Sequence, residues 1–283
     1  MTYQEILQRL NPAYGADEAR AVTRLVLEER YGFSLTDIIF GKVSELSSEE
    51  SKELEKIIVR LENNEPVQYI LGYQDFCGHR FHVEPGVLIP RPETEELIRL
   101  VAQDDGIGSA RGILDIGTGS GCIAISLALL HPDAKVEAWD ISADALRIAR
   151  GNADTLCARN VTFRQVDVLD SAATLRATPP EGWTAIVSNP PYICRSEARD
   201  MEHNVLDYEP DTALFVPDDD PLLFYRAIAQ YGRHSLAEGG QLFFEINRAY
   251  GNDVSDMLAR LGYTGISVLK DQFGNDRMVR CTV

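Results

Sequence analysis

Apolar positions in the first 72 residues recur at helical spacing. Ile6, Leu7 and Leu10 share one face, Ala21, Val22, Leu25 and Val26 continue the spacing on a second segment, and Leu54, Ile57, Ile58 and Leu61 form a third stripe. This is the pattern of helices that bury one side. Ser47 and Ser48 ahead of Glu50 and Glu53 mark a helix start, and Gly32 and Gly41 punctuate the run. The pattern predicts a small helical bundle over residues 1–72, with no cluster of catalytic side chains. Residues 73–90 differ: Tyr73, Phe76, Phe81, Val83 and Val87 are strand-prone, and Gly78 and Pro85-Gly86 mark turns. A hairpin linking two domains is expected there.

From about residue 91 strand and helix signals alternate. Candidate strands are Gly112–Asp115, Lys135–Asp140, Val161–Gln165, Thr184–Ser188, Ala213–Val216, Gln241–Ile246, Tyr263–Leu269 and Arg277–Thr282. Candidate helices between them include Cys122–Leu130, Ala143–Ala153 and Leu222–Tyr231. Such alternation means a doubly wound α/β sheet. The last two strands have no helix between them, so an antiparallel end is expected. The predicted domains are 1–72 (helical), 73–90 (hairpin linker) and 91–283 (α/β).

Composition narrows the classes. Of 283 residues, 45% are hydrophobic and 25% charged, as in an ordinary globular protein. The formal charge of −17 is spread along the chain. Residues 1–80 carry 9 Lys/Arg against 14 Asp/Glu, and the rest 18 against 30, so neither part is basic. Duplex nucleic acid is held mainly by phosphate neutralisation, so stable nucleic-acid binding is not expected. The five cysteines show no CxxC pairing, and the five histidines no metal-ligand spacing. No metal is expected. The N-terminus lacks a signal-peptide pattern and no apolar run reaches about 20 residues, so a cytoplasmic protein free of membrane is expected.

Two motifs carry chemistry. In the first, the apolar strand ending at Asp115 and Ile116 runs into Gly117-Thr118-Gly119-Ser120-Gly121, and a helix follows. Glycines let backbone approach a ligand closely, and the helix start favours polar or anionic groups. Asp115 repels pyrophosphate but suits an ammonium such as the methionyl group of S-adenosylmethionine. Asp140, followed by Ile141, stands about 20 residues on at the next strand end, where ribose hydroxyls are held. Its plainer reading is part of a helix N-cap region. Asp167 ends a third strand and Val168 follows, fit to hold an adenine amine and flank its ring. The plainer reading is a carboxylate on a solvent loop.

In the second motif, Asn189-Pro190-Pro191-Tyr192 follows the strand at 184–188. An amide nitrogen is a poor nucleophile because its lone pair is delocalised. The Asn189 side-chain oxygen and the Pro190 carbonyl can accept its two N–H bonds, aim it, and favour the positive charge that develops on it. The prolines hold those acceptors in place, and Tyr192 offers a wall for a flat group.

Together these motifs resemble Rossmann-like class I methyltransferases. Further stretches resemble the HemK/PrmC family of peptide-chain release factor glutamine methyltransferases: Pro66–Gly72, Val87–Glu95, Ile186–Ile193, Glu209-Pro210 with Ala213-Leu214, and Phe244-Glu245-Ile246. The likeness runs from about residue 60 to the end of the chain. Asn247 departs from it where the family usually has glycine. The resemblance implies a mixed seven-stranded sheet and S-adenosylmethionine as methyl donor, with S-adenosylhomocysteine as product. It further implies transfer to the N5 amide of the glutamine in the GGQ tripeptide of class 1 release factors, with the helical domain docking the factor. Arg91 and Glu93 are then candidates for substrate binding in a lid, against the plain reading of a helix start at Pro92. Competing readings are adenine N6-methylation, glutamine methylation of ribosomal protein L3, and a non-enzymatic adaptor.

Overall fold

The computed structural model describes residues 1–104 and 112–283. They form two compact units, Met1–Tyr73 with Met201–Tyr208, and Gln74–Asp200 with Glu209–Val283.

The first unit is helical: α1 (Tyr3–Tyr31), α2 (Leu35–Ile39), α3 (Ser48–Glu62) and α4 (Val67–Leu71). Helix starts are set locally. Thr2 with Glu5, Ser34 with Asp37 and Ser47 with Glu50 each form a reciprocal capping box, satisfying N–H groups that the first turn cannot pair internally. Gly15, at φ 72°, breaks α1 in two, as the separate apolar stripes predict. Ile6, Leu10, Val22, Val26, Leu54, Ile58 and Leu61 pack into one core. Arg9 ties α1 to α3 through Glu62 at 2.7 Å and Glu55 at 2.8 Å.

A hairpin follows, β1 (Tyr73–Phe76) and β2 (His79–His82), which belongs to the second unit from Gln74 on. Its turn, Cys77 at φ 48° and Gly78 at φ 76°, has the two left-handed residues that a tight hairpin requires. Phe76 and Phe81 enter the core of this unit. There follow α5 (Pro92–Ala102), β3 (Gly112–Ile116), α6 (Cys122–Leu130), β4 (Lys135–Asp140), α7 (Ala143–Thr155), β5 (Val161–Gln165), α8 (Ser171–Ala177), β6 (Trp183–Ser188) and β7 (Ile193–Cys194). After α9 (His203–Leu206), which belongs to the first unit, come α10 (Asp211–Leu214), β8 (Phe215–Val216), α11 (Leu223–Ser235), β9 (Leu236–Glu245), α12 (Gly251–Arg260), β10 (Thr264–Lys270) and β11 (Asp276–Thr282).

Seven strands lie in the order β10-β11-β9-β6-β3-β4-β5. Pairs β9-β6, β6-β3, β3-β4 and β4-β5 are parallel, and β11 is antiparallel to both neighbours, the mixed sheet that the sequence predicts. Alternation along β3 divides the core: Ile113 packs with α5 and α6, Leu114 with α11 and α12. Chain order reverses at β3, which pairs with β4 on one side and β6 on the other. Ligands of such sheets bind outside the strand carboxyl ends at that switch point.

Two expectations need correction. Residues Ala213–Val216 were expected as a strand of the alternating set. They are one turn of α10 followed by β8, whose two residues pair with β7 and not with the main sheet. Short apolar runs do not distinguish helix from strand by periodicity, and Pro210 starts a turn here. Asp167 does not end a strand: β5 stops at Gln165, and the Asp167 carboxylate accepts from Leu169 N at 2.8 Å in the turn beyond.

Candidate active site

A cleft of about 360 Å³ opens at the switch point. Residues at and just beyond the ends of four adjacent strands line it: Ile116, Gly117 and Gly119 at β3, Asp140–Ser142 at β4, Val166–Leu169 beyond β5, and Asn189–Pro191 beyond β6. A Cβ placed on Gly117 would sit 3.9 Å from the Asn189 carbonyl oxygen, so the glycine loop and the Asn-Pro-Pro turn run side by side.

The loop is folded inward. The N–H groups of Gly117 and Thr118 both donate to the Trp139 carbonyl at 2.9 Å, that of Gly119 to Asp140 Oδ2 at 2.9 Å, and that of Gly121 to the Thr118 carbonyl at 2.8 Å. These donors, which a phosphate cradle would need free, are already taken. The loop is therefore unsuited to pyrophosphate, and the general expectation of an anion at the helix start does not hold for it. Gly121 lies outside the cleft. A Cβ there would come within 2.8 Å of Ile125 and 3.1 Å of Ala149, at φ 83°, so its smallness lets α6 close on α7.

Asp115 and Thr118 also lie behind the cleft lining. Asp115 is fully buried, its Oδ2 accepting from Thr118 O–H at 2.6 Å and Ala124 N at 3.1 Å. Its Oδ1 has no partner. Burial pushes this carboxyl up to about 7, against the pull of those two hydrogen bonds. An orphaned buried carboxylate oxygen calls for a cationic donor. Asp140 accepts from Ser142 N and Gly119 N, both at 2.9 Å, which leaves lone pairs for hydroxyl donors. Burial raises its pKa, opposed by those backbone N–H groups. This set fits S-adenosylmethionine: an ammonium partner, a ribose partner, and an apolar shelf of Ile141 and Val168.

Asn189 is half-buried, and its Nδ2 donates to Thr94 Oγ1 at 3.3 Å. Tyr192 does not line the cleft. Its hydroxyl donates to Glu245 at 3.2 Å, and burial pushes its pKa up. Asn247 Nδ2 donates to the Tyr192 carbonyl at 3.2 Å, so the asparagine that departs from the family pattern braces this turn.

Arg91 and Glu93 are likewise outside the lining. Arg91 Nη2 donates to Glu209 Oε1 at 2.5 Å, and Glu209 Oε2 accepts from Ile89 N at 3.1 Å. Burial raises the Glu209 pKa, against Arg91. This pair joins two stretches whose residues line the cleft, 86–88 and 210–213 with Phe215. Those segments, with Arg195, Phe224 and Ile228, were absent from the sequence-based site. Removing the carboxylate strands a guanidinium and a backbone N–H, so Glu209→Ala should cost about 2 kcal/mol of stability. Urea unfolding with an unchanged slope checks this, and a midpoint equal to wild type would show that the tie is idle.

Fold and site define a class I, S-adenosylmethionine-dependent methyltransferase. Residues 93–207 match the family model described as methyltransferase small domain, and residues 2–72 the PrmC N-terminal domain. The chain is 52% identical to a release factor glutamine methyltransferase of Bacteroides thetaiotaomicron, over 97% of this chain and 96% of that one. It is 38% identical to one of Flavobacterium psychrophilum, over 98% and 96%. Among solved structures, a methyltransferase from Pyrococcus furiosus shares the fold at TM-score 0.52 and 17% identity, over 73% of this chain and 90% of that one. The chain belongs to the release factor glutamine methyltransferase family.

Proposed function

We propose that the enzyme methylates the side-chain N5 of the glutamine in the GGQ tripeptide of class 1 release factors, in the cytoplasm and without stable nucleic-acid binding. The observation that carries this reading is the Asn189-Pro190 turn lying against the glycine loop in one cleft. The family relatives' names support the substrate. When bound, S-adenosylmethionine supplies a methyl on a sulfonium and leaves as S-adenosylhomocysteine. Asn189 Oδ1 and the Pro190 carbonyl accept the two amide N–H bonds and hold the nitrogen toward that methyl. They favour charge as it builds on nitrogen, and the proton is then lost to solvent without a strong base. Tyr192 holds the turn through Glu245 and does not wall the cleft. The acidic chain offers no basic module, all five cysteines are free, and among the described residues no helix is long and apolar enough to cross a membrane. The helical unit 1–72 is assigned to docking the factor. Incubation with labelled S-adenosylmethionine and, separately, release factor, DNA or ribosomal protein L3 tests the reading. One methyl on the GGQ glutamine by mass spectrometry is expected, and label on DNA or L3 alone would overturn it.

Asp115 gives the cofactor step a pH dependence. In the free protein its carboxyl holds a proton below about 7. An ammonium partner needs the ionised form, so binding below that pH must expel the proton. Affinity should fall by up to about tenfold per pH unit below 7 and level off above it. Titration calorimetry at pH 6 in two buffers of different ionisation enthalpy should show net proton release, and Asp115→Asn should abolish it. Equal affinity at pH 6 and 7.5 with no proton release would remove Asp115 from the ammonium site.

A further inference from the structure

Behind the Asn189–Tyr192 turn lies a chain of buried polar groups that the methyl transfer does not use as reactants. Glu245 ends β9 at 2% exposure, and Thr94 sits in the first turn of α5 at 2%. The Thr94 hydroxyl donates to Glu245 Oε2 at 2.6 Å, the Tyr192 hydroxyl donates to Oε1 at 3.2 Å, and Thr94 Oγ1 accepts from Asn189 Nδ2 at 3.3 Å. Burial raises the Glu245 pKa, opposed by the Thr94 hydroxyl and by the positive charge of Arg277, itself held by Asp271 at 3.3 Å. The partners lie 95 and 151 residues apart in the chain, so tertiary folding alone assembles the relay.

With Glu245 ionised, the direction of the relay follows from donor counting. An ionised carboxylate only accepts, and a threonine hydroxyl has a single hydrogen. Thr94 gives that hydrogen to Glu245, which leaves only a lone pair for Asn189. Asn189 must therefore turn its –NH2 toward Thr94, and its Oδ1 is left for an outside N–H donor. A side-chain amide without such a partner can present either end, because the two ends are nearly isosteric.

We propose that Thr94 and Glu245 are positioning residues that lock the Asn189 amide with its oxygen toward the substrate, so that the site selects a –NH2 group over an isosteric carboxylate. The inference rests on the amide reading above. With the lock in place, a glutamate where the substrate has glutamine brings oxygen against oxygen. Without it, Asn189 can turn and donate to that carboxylate. The relay is thus a device for rejecting the wrong group as well as for aiming the right one.

The test compares wild type with Thr94→Val, Thr94→Ser and Glu245→Gln on a class 1 release factor, using as competitor a copy of the factor with glutamate in place of the GGQ glutamine. Glu245→Gln keeps volume but can donate an N–H to Thr94 and reverse the relay. Thr94→Val and Glu245→Gln should lower kcat about 10- to 100-fold, with S-adenosylmethionine affinity within about twofold of wild type and Thr94→Ser within about threefold in kcat. The glutamate copy should inhibit Thr94→Val about tenfold better than it inhibits wild type. If Thr94→Val does not fold, Glu245→Gln carries the same two readouts. Wild-type kcat in both, an equal loss in the serine variant, or unchanged inhibition by the glutamate copy would each overturn the relay. A wild-type enzyme that leaves the glutamine unmethylated overturns the amide reading itself, and the relay with it.

Discussion

Asn189→Ala is expected to lower kcat about 10²- to 10³-fold, the loss typical of removing one preorganised polar group at a developing charge. Delocalisation keeps the amide lone pair in the carbonyl, so the nitrogen reacts only as its N–H bonds polarise. Two acceptors do this, and alanine removes the one that is a side chain. The Pro190 carbonyl is main chain and stays, which sets a residual rate above background. Asn189 lines the cleft beyond β6, whereas the ribose partner Asp140 ends β4 and the ammonium partner Asp115 lies buried in β3, so S-adenosylmethionine affinity should change by no more than about threefold. The separation of the two effects identifies the role. Single-turnover methylation at saturating S-adenosylmethionine reads the first and calorimetry the second. Unchanged kcat would remove Asn189 from the chemistry, and a parallel loss of cofactor affinity would make it a cofactor ligand only.

The legible parts of this molecule are those that a few neighbouring residues determine. The helix start at Ser47 with Glu50, and the hairpin turn at Gly78, need only a short stretch of chain. The glycine loop and the Asn189–Pro191 turn each follow one apolar strand, and the switch-point rule then brings Gly117, Gly119 and that turn into one cleft. What could not be read depends on pairs far apart in sequence. Arg91 meets Glu209 across 118 residues and Thr94 meets Glu245 across 151. No periodicity encodes such meetings, so the sequence left Arg91 between a substrate contact and a helix start, and its pairing with Glu209 shows only in the fold. A faint signal was present: Thr94, Glu209 and Glu245 all fall in the stretches that carry the family resemblance, polar residues without a local structural task. The glycine loop shows the opposite limit. Its residues suggest free N–H donors, but whether those donors point outward depends on Trp139 and Asp140, which arrive with the next strand.

That dependence makes Asp140 the position of largest expected effect on cofactor binding. Its carboxylate shapes the glycine loop through Gly119 N and starts α7 through Ser142 N, each at 2.9 Å, and its remaining lone pairs are assigned to the two ribose hydroxyls. Hydrogen bonds to a charged acceptor contribute about 1.5–3 kcal/mol each. Losing both, less what water restores, should weaken S-adenosylmethionine binding at least about 100-fold in Asp140→Ala. The loop N–H would also lose its acceptor and could turn outward, so alanine should gain some affinity for anions that wild type refuses. Asp140→Asn divides these effects. It keeps one acceptor oxygen where the carboxylate has two, so the loop, the start of α7 and the ribose compete for fewer lone pairs, and affinity should fall about tenfold with the fold intact. Calorimetry with S-adenosylhomocysteine, which keeps the ribose and lacks the sulfonium charge, should show the same ratios, because the lost contacts are to hydroxyls and not to a cation. Ratios that collapse with the uncharged product would instead mean that Asp140 acts through its charge on the sulfonium, and would move the ribose assignment elsewhere in the cleft.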